Sequence, residues 1–370
     1  MEKKGIRARD LGFDFCGVTG TTNSLVDVPG VLVGMKTRIE GEGPLITGKG
    51  PIRSGVTAIL PRGRETVPHQ VWAGTYSLNG NGEMTGSHWI RDGGYFVGPI
   101  CLTNTHSVGM VHHGATQWMI HQYSAQWENE HLWAMPVVAE TYDGVLNDIN
   151  GLHITATDAI DAIADASADQ VKEGNVGGGT GMICYGFKGG TGSASRVVSV
   201  TDEHYTVGAL VQANHGIREW FTPLGVPVGK MMADDLMIAE KEKGSIIVIL
   251  GTDIPLLSSQ LERIARRAAI AIGRGGSPGG NDSGDIFLAF STANSKPLLS
   301  DQNTNLNLQC IQDANLDQVY LGAVEAVEEA VINAMIAAED MTTLRPAGKT
   351  CRAINHTQFI NIMQKYGRCR

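Results

Sequence analysis

No Lys/Arg-rich run occurs in this chain of 370 residues, whose formal net charge is −9. Nucleic-acid binding draws its affinity largely from neutralising phosphates, so that class drops out first. Long apolar runs are missing too: no stretch reaches the ~20 residues that span a bilayer. Residues 1–13 are basic, but no apolar run of signal-peptide length follows them. The six cysteines (Cys16, Cys101, Cys184, Cys310, Cys351, Cys369) form no CxxC and no Cys/His pairing at zinc spacing. A chain of this size needs no disulfide staples, so free thiols and a cytoplasmic setting are expected, without membrane, metal or cofactor. Neither GxxxxGK[ST] nor HExxH is present, which removes P-loops and zincins. His112 and His113 are adjacent on a predicted helix and point to different faces, so they read as one buried and one exposed histidine.

Glycine is abundant instead, at 47 residues, but it clusters in loops rather than repeating, which excludes a collagen-like chain. With 42% apolar and 18% charged residues a substantial core can form. Residues 24–61 read as two strands around the Pro29-Gly30 turn, and 71–105 as Gly/Asn/Thr-rich loops. Helical spacing follows over 107–123, then a strand ending at Tyr142, then a helix started by Thr157 or Asp158. The glycine-rich stretch 173–200 enters a strand, and 205–213 is another. Residues 245–250 (SIIVIL) have no polar alternation and should be covered on both faces. In the last third, Leu261, Ile264, Ala265, Ala268 and Ile272 mark one helix face, with Ser258 or Ser259 as N-cap. Val319, Ala323, Val327, Ala330 and Ala334 mark another. No linker divides the chain, and strands with helices at intervals fit stacked sheets faced by helices.

At Lys241-Glu242-Lys243-Gly244-Ser245 a charged segment meets that apolar strand. The plain reading is a loop entering a strand. The sharper one is an autoproteolytic junction, where Ser245 attacks the Gly244 carbonyl and is left with a free α-amine. Glycine tolerates strained dihedrals and leaves its carbonyl unshielded. An α-amine has a reference pKa near ~8 and can serve as a base close to neutrality. Spacing alone leaves both readings open.

The segments GTYSLNGNGEMTGSHWIRDGG, PICLTNTHSVG, EGNVGGGTGM, LVQANHG, KGSIIVIL and GGNDSGDIFLAFSTAN resemble, in order, those of the L-aminopeptidase / D-amino-acid esterase–amidase family, which includes the β-peptidyl aminopeptidases. The resemblance runs from about residue 10 to the C-terminus. It implies a four-layer α/β/β/α sandwich of N-terminal-nucleophile-hydrolase type. It also implies one catalytic domain, 1–370, cut into 1–244 and 245–370 and assembled as a homotetramer. The substrates it implies are small peptides, amides or esters with a free amine, cleaved without cofactor or metal. By the same resemblance Ser245 is the nucleophile, Ser283 and Asp285 assist it, and Asn214 is an oxyanion donor. Tyr142 lies near the scissile carbonyl, Glu140 pairs with the substrate amine, and Trp133 walls the pocket. Without the resemblance, Ser283 and Asp285 would be turn caps, Asn214 a strand-ending turn residue and Trp133 core. Members acting on β-peptides are expected to carry Glu where this chain has Asp285, which leaves α against β backbone open. An acyltransferase of the ornithine acetyltransferase type, which cuts before threonine, and a non-catalytic ligand-binding relative are the alternatives; Ser245 and the NDSGD segment weigh against both.

Overall fold

The computed structural model describes residues 5–130, 132–234, 244–298 and 305–370. Lys241, Glu242 and Lys243, the charged side of the Gly244-Ser245 junction, lie outside the described residues.

The first half supplies β1 (Leu32–Glu40), β2 (Ile52–Leu60), β3 (Val71–Ser77), α1 (Ser87–Gly93), β4 (Tyr95–Phe96), β5 (Ile100–Asn104), α2 (Val108–Gln122), α3 (Ser124–Asn129), β6 (Val137–Thr141) and α4 (Ala156–Asp165). The second half supplies β7 (Ile183–Cys184), β8 (Phe187–Lys188), β9 (Gly190–Val200), β10 (Glu203–Asn214), α5 (Val228–Met231), β11 (Ser245–Thr252), α6 (Ser258–Ala265), α7 (Ala268–Arg274), β12 (Ile286–Ser291) and α8 (Leu316–Ile336). One large sheet has the order β1-β2-β5-β6, the other β4-β3-β12-β11-β10-β9.

Three apolar clusters set the layering. Ile59, Ile100, Leu102, Val137 and Ala139 of the first sheet meet Leu210, Ile247, Ile249 and Leu288 of the second, forming the middle of a sandwich. The opposite face of the first sheet, with Val56, Ala58, Cys101 and Val138, is covered by α2 and α4 through Val111, Ala115, Ala159 and Ile163. The opposite face of the second, with Val211, Ala213, Ile246 and Val248, is covered by α6, α7 and α8. The protein is therefore a four-layer α/β/β/α sandwich, and β11 is buried along its whole length as its apolar run requires. Each fully buried Ile or Val there contributes roughly 1.5–3 kcal/mol of transfer free energy, an upper figure against a compact unfolded chain.

Several expectations need correction. Residues 71–105 contain β3, α1, β4 and β5 rather than loops alone, because Val71, Ala73, Ile100 and Leu102 bury into the middle layer. Leu25–Asp27 is a short 3₁₀ turn, not a strand. Helix α4 begins after Thr155, whose side chain accepts from the Asp158 N–H, so neither Thr157 nor Asp158 is the cap. Leu257 holds the N-cap position of α6, with Ser258 already inside the helix. On α2, Val111, Ala115 and Met119 face inward while Ile120 is exposed.

Candidate active site

Ser245 opens β11 opposite Asn214, the last residue of β10. Strand alternation turns both side chains, with Ile247 and Leu210, toward the space between the sheets. A side chain on Gly244 would run into the main-chain oxygen of Asn214, so only glycine fits immediately before the serine. The buried Ser245 Oγ accepts from the Gly284 N–H at 3.1 Å. Gly284 can come this close because it packs on the Asn81 carbonyl, where any Cβ would collide.

The parallel neighbour β12 delivers the acid. Ser283 Oγ donates to Asp285 Oδ1 at 2.6 Å, and the Ile246 N–H donates to the same oxygen at 3.2 Å, one residue along from Ser245. Asp285 Oδ2 is buried with no hydrogen-bond partner. Burial pushes the Asp285 pKa up, against the donors Ser283 and Ile246, which favour the charged form. Asn214 is held at both ends of its amide: Oδ1 accepts from the Ile183 N–H at 2.8 Å and Nδ2 donates to the Tyr142 carbonyl at 3.0 Å. An amide nitrogen carries two protons, so one donor stays available toward Ser245.

Glu140, near the end of β6, is also buried; it accepts from the Glu83 N–H at 3.0 Å and from Thr105 Oγ1. Burial raises its pKa, opposed by those two donors. The loop 78–84 joins the two halves: Leu78 N–H donates to the Asp285 carbonyl, Asn79 Oδ1 accepts from the Asp285 N–H, and Met84 bridges to Ala139 beside Glu140. Between these points Gly82 lies against both the Glu140 carboxylate and Gly284. The Glu140 and Ser245 clusters thus share one wall.

Two other expected residues sit differently. The Tyr142 ring is 39% exposed and lies over Gly144, and its carbonyl rather than its hydroxyl enters the network described above. Trp133 is 70% exposed, not interior; with Trp89, Met135 and Leu298 it lines an apolar groove of about 520 Å³. Asn79, Gly82, Thr105 and Gly284 carried no assignment in the sequence, although the Asn-Gly-Asn-Gly run was a visible signal. The string Gly275-Gly276-Ser277-Pro278-Gly279 also matches a serine elbow, but it follows helix α7 rather than a strand, and Ser277 Oγ accepts from the Gly279 N–H. Among the described residues no three His, Cys, Asp or Glu side chains are grouped to hold a metal ion, and no helix is long and apolar enough to cross a membrane.

Comparison with known proteins gives consistent matches. The sequence profile of peptidase family S58 matches residues 23–347. The β-peptidyl aminopeptidase BapA of Sphingosinicella microcystinivorans is 45% identical over 379 residues, covering 99% of this chain and 93% of that protein. The L-aminopeptidase D-Ala-esterase/amidase of Ochrobactrum anthropi, a serine aminopeptidase with a variant of the Ntn hydrolase fold, superposes with a TM-score of 0.94 at 54% identity, covering 98% and 99% of the two chains. A β-aminopeptidase of Burkholderia sp. superposes with a TM-score of 0.87 at 40% identity, covering 98% and 99%.

Proposed function

The chain belongs to peptidase family S58, and from that premise we propose that this serine aminopeptidase cleaves itself between Gly244 and Ser245 and then works through an acyl-enzyme on Ser245. The observation that carries the reading is the buried Ser245 Oγ at the mouth of β11, held by Gly284, with the Ser283–Asp285 pair bonded to the next residue. In the precursor, Ser245 Oγ attacks the Gly244 carbonyl carbon while the Gly244–Ser245 C–N bond breaks. Water then hydrolyses the resulting ester. The products are a Gly244 carboxylate, a free Ser245 α-amine, and two pieces, 1–244 and 245–370, that stay together as one protomer of a homotetramer.

In turnover the same oxygen attacks the carbonyl of the substrate's first residue, and its proton passes to the Ser245 amine. Ser283 and Asp285 orient that amine, which returns the proton to the leaving amine or alcohol. Water then releases the acyl group. The second Asn214 N–H, with Tyr142, stabilises the oxyanion, an effect of roughly 3–4 kcal/mol for one good donor. Glu140 and Asp285 receive the substrate ammonium, which restricts the enzyme to free N-termini. Small residues on short peptides, amides and esters are the substrates, with Trp133 on the pocket wall.

A denaturing gel of active protein tests this. The 39.5 kDa chain should run as pieces of about 26 and about 13 kDa, the smaller beginning SIIVIL. An active preparation that stays a single chain would overturn the reading.

A further inference from the structure

Directly after Tyr142, below the site, lies a carboxyl group that the mechanism above does not use. Asp143 is fully buried. Its Oδ2 accepts from Ser54 Oγ at 2.7 Å, and Asn147 Nδ2 donates to both its oxygens at 3.0 and 3.1 Å. Its carbonyl accepts from the Leu146 and Asn147 N–H groups, which closes the turn behind Tyr142. Ser54 in turn accepts from Asn104 Nδ2 at 2.8 Å, and Asn104 Oδ1 accepts from the His106 N–H, fixing the turn that presents Thr105. Thr105 is the residue whose hydroxyl donates to Glu140.

Two chains of contact therefore leave Asp143. One runs through the backbone to the Tyr142 carbonyl and the Asn214 amide. The other runs through Ser54, Asn104 and Thr105 to Glu140. We propose that Asp143 is a positioning residue for the aminopeptidase reaction, aligning the oxyanion donor Asn214 and the amine-binding Glu140 at once from beneath the site.

The chemistry of its surroundings supports this. From β2 and the turn after Asp143 it receives hydrogen bonds from Ser54 and Asn147, with Asn104 of β5 behind Ser54, and the backbone of Gly181 closes over its Cβ. Charged neighbours are turned elsewhere. The Arg53 guanidinium bonds the Glu40 and Gly41 carbonyls and Glu42, while Asp148 bonds Gly48, Gly50 and His153. Burial without a countercharge pushes the Asp143 pKa up to about 7, although every hydrogen bond around it favours the carboxylate. The group thus changes charge near neutrality, in a socket shaped for the charged form. The sign for stability is opposite to that for alignment. An acid raised above its unfolded value stabilises the fold below that value, and the contribution is lost as pH rises toward 7. A residue kept only for stability would not be an ionised carboxylate here.

The inference rests on the aminopeptidase reading, and the test separates the two. Activity per cleaved molecule on a small free-amine anilide is followed from pH 5 to 9 for wild type, Asp143→Asn and Ser54→Ala, with melting temperatures at pH 8. Asp143→Asn is expected to melt no lower than wild type yet to lose about 10- to 100-fold in kcat/KM at pH 8, the cost of a small misplacement of reacting groups. It should also lose a limb near pH 7 that wild type has. Ser54→Ala cuts only the arm toward Glu140, so KM should rise about five-fold with kcat within about two-fold. A wild-type pH profile retained in Asp143→Asn, or activity and melting temperature falling together in both variants, overturns the inference. If Asp143→Asn does not fold, Ser54→Ala decides by the same KM-against-kcat split. A wild type that cleaves no free-amine anilide overturns the proposed function instead.

Discussion

Behind the six-stranded sheet, Arg7 holds Glu173 at 2.7 Å, while Arg196 and Arg9 reach Glu329 at 2.7 and 2.9 Å. At the mouth of the sandwich, Asp285, leading into β12 of the same sheet, and Glu140, on β6 of the facing sheet, are about as deeply buried as Glu329, but neither has a Lys or Arg partner among the described residues. One cation is not enough at Glu173, where burial outweighs Arg7 and the pKa is still raised; Glu329, with two, behaves differently. Burial pushes Glu329 up, yet Arg196 and Arg9 outweigh it and hold its pKa below the ordinary value. At Asp285 and Glu140 burial wins and both pKa values are raised. A buried carboxylate with its countercharge built in fastens the N-terminal segment and β9 onto α8. A buried carboxylate without one is open to a cation that arrives with the substrate.

The comparison breaks most visibly at Ser245. Ser245→Ala should leave the chain uncut and lower kcat/KM roughly ten-thousand-fold or more, with stability changed by no more than about 1 kcal/mol. Gel mobility, anilide kinetics and thermal melting read the three quantities. The opposite pattern is expected of Glu329→Gln, which removes the countercharge of Arg9 and leaves Arg196 with Glu325 alone. It should cost about 3–5 kcal/mol of stability, a melting temperature lower by roughly 5–10 °C, with kcat/KM per folded molecule within about two-fold. Loss of activity without loss of stability there would erase the distinction between the clusters.

On the proposed reading, an N-acetylated anilide brings no ammonium to Glu140 and leaves the carboxylate without a countercharge. Its kcat/KM should be about 30-fold to several thousand-fold below that of the free-amine parent, the equivalent of roughly 2–5 kcal/mol. Glu140→Gln should impair free-amine turnover more than self-cleavage, because the precursor presents no such ammonium. Equal rates on both substrates would make the protein a general amidase. The smallest effect concerns His215, which follows Asn214 and is buried with its Nε2 unpartnered. Burial lowers its pKa to about 3, so it is neutral in the fold. Its contribution to stability is complete above the unfolded value near ~6.5 and is lost as pH falls toward 3, on the order of 1.4 kcal/mol per unit. His215→Phe should flatten the fall in melting temperature between pH 6.5 and 4.

Elements with a strong period or an unbroken apolar run could be read directly. The inward face of α8 and the doubly covered β11 follow from side-chain spacing alone, whereas the Leu261–Ile272 face, read as one helix, is buried as expected but divided between α6 and α7. Strands β3 and β5 could not, since glycine, asparagine and threonine beside them carry turn propensity that burial in the middle layer overrides. Within the site, Ser245, Ser283, Asp285 and Asn214 were legible only because their flanking motifs resemble a known family. Asn79, Thr105 and Asp143 belong to the same cluster through contacts with residues more than thirty positions away, and no local pattern encodes such contacts.

What the sequence determined by itself is which segments are sticky, which are turns, and that a Gly-Ser bond opens an apolar strand. Those properties reside in neighbouring residues and their side-chain period. The tertiary structure decided which polar groups lost water together. Pairing β11 with β12 brings Asp285 to Ile246, and pairing β5 with β6 brings Thr105 to Glu140. Whether a carboxylate becomes an anchor like Glu329 or a poised group like Asp285 depends on the charge that packing sets beside it. Desolvation and Coulomb attraction act through space, so two acids that look alike along the chain end with pKa values shifted in opposite directions.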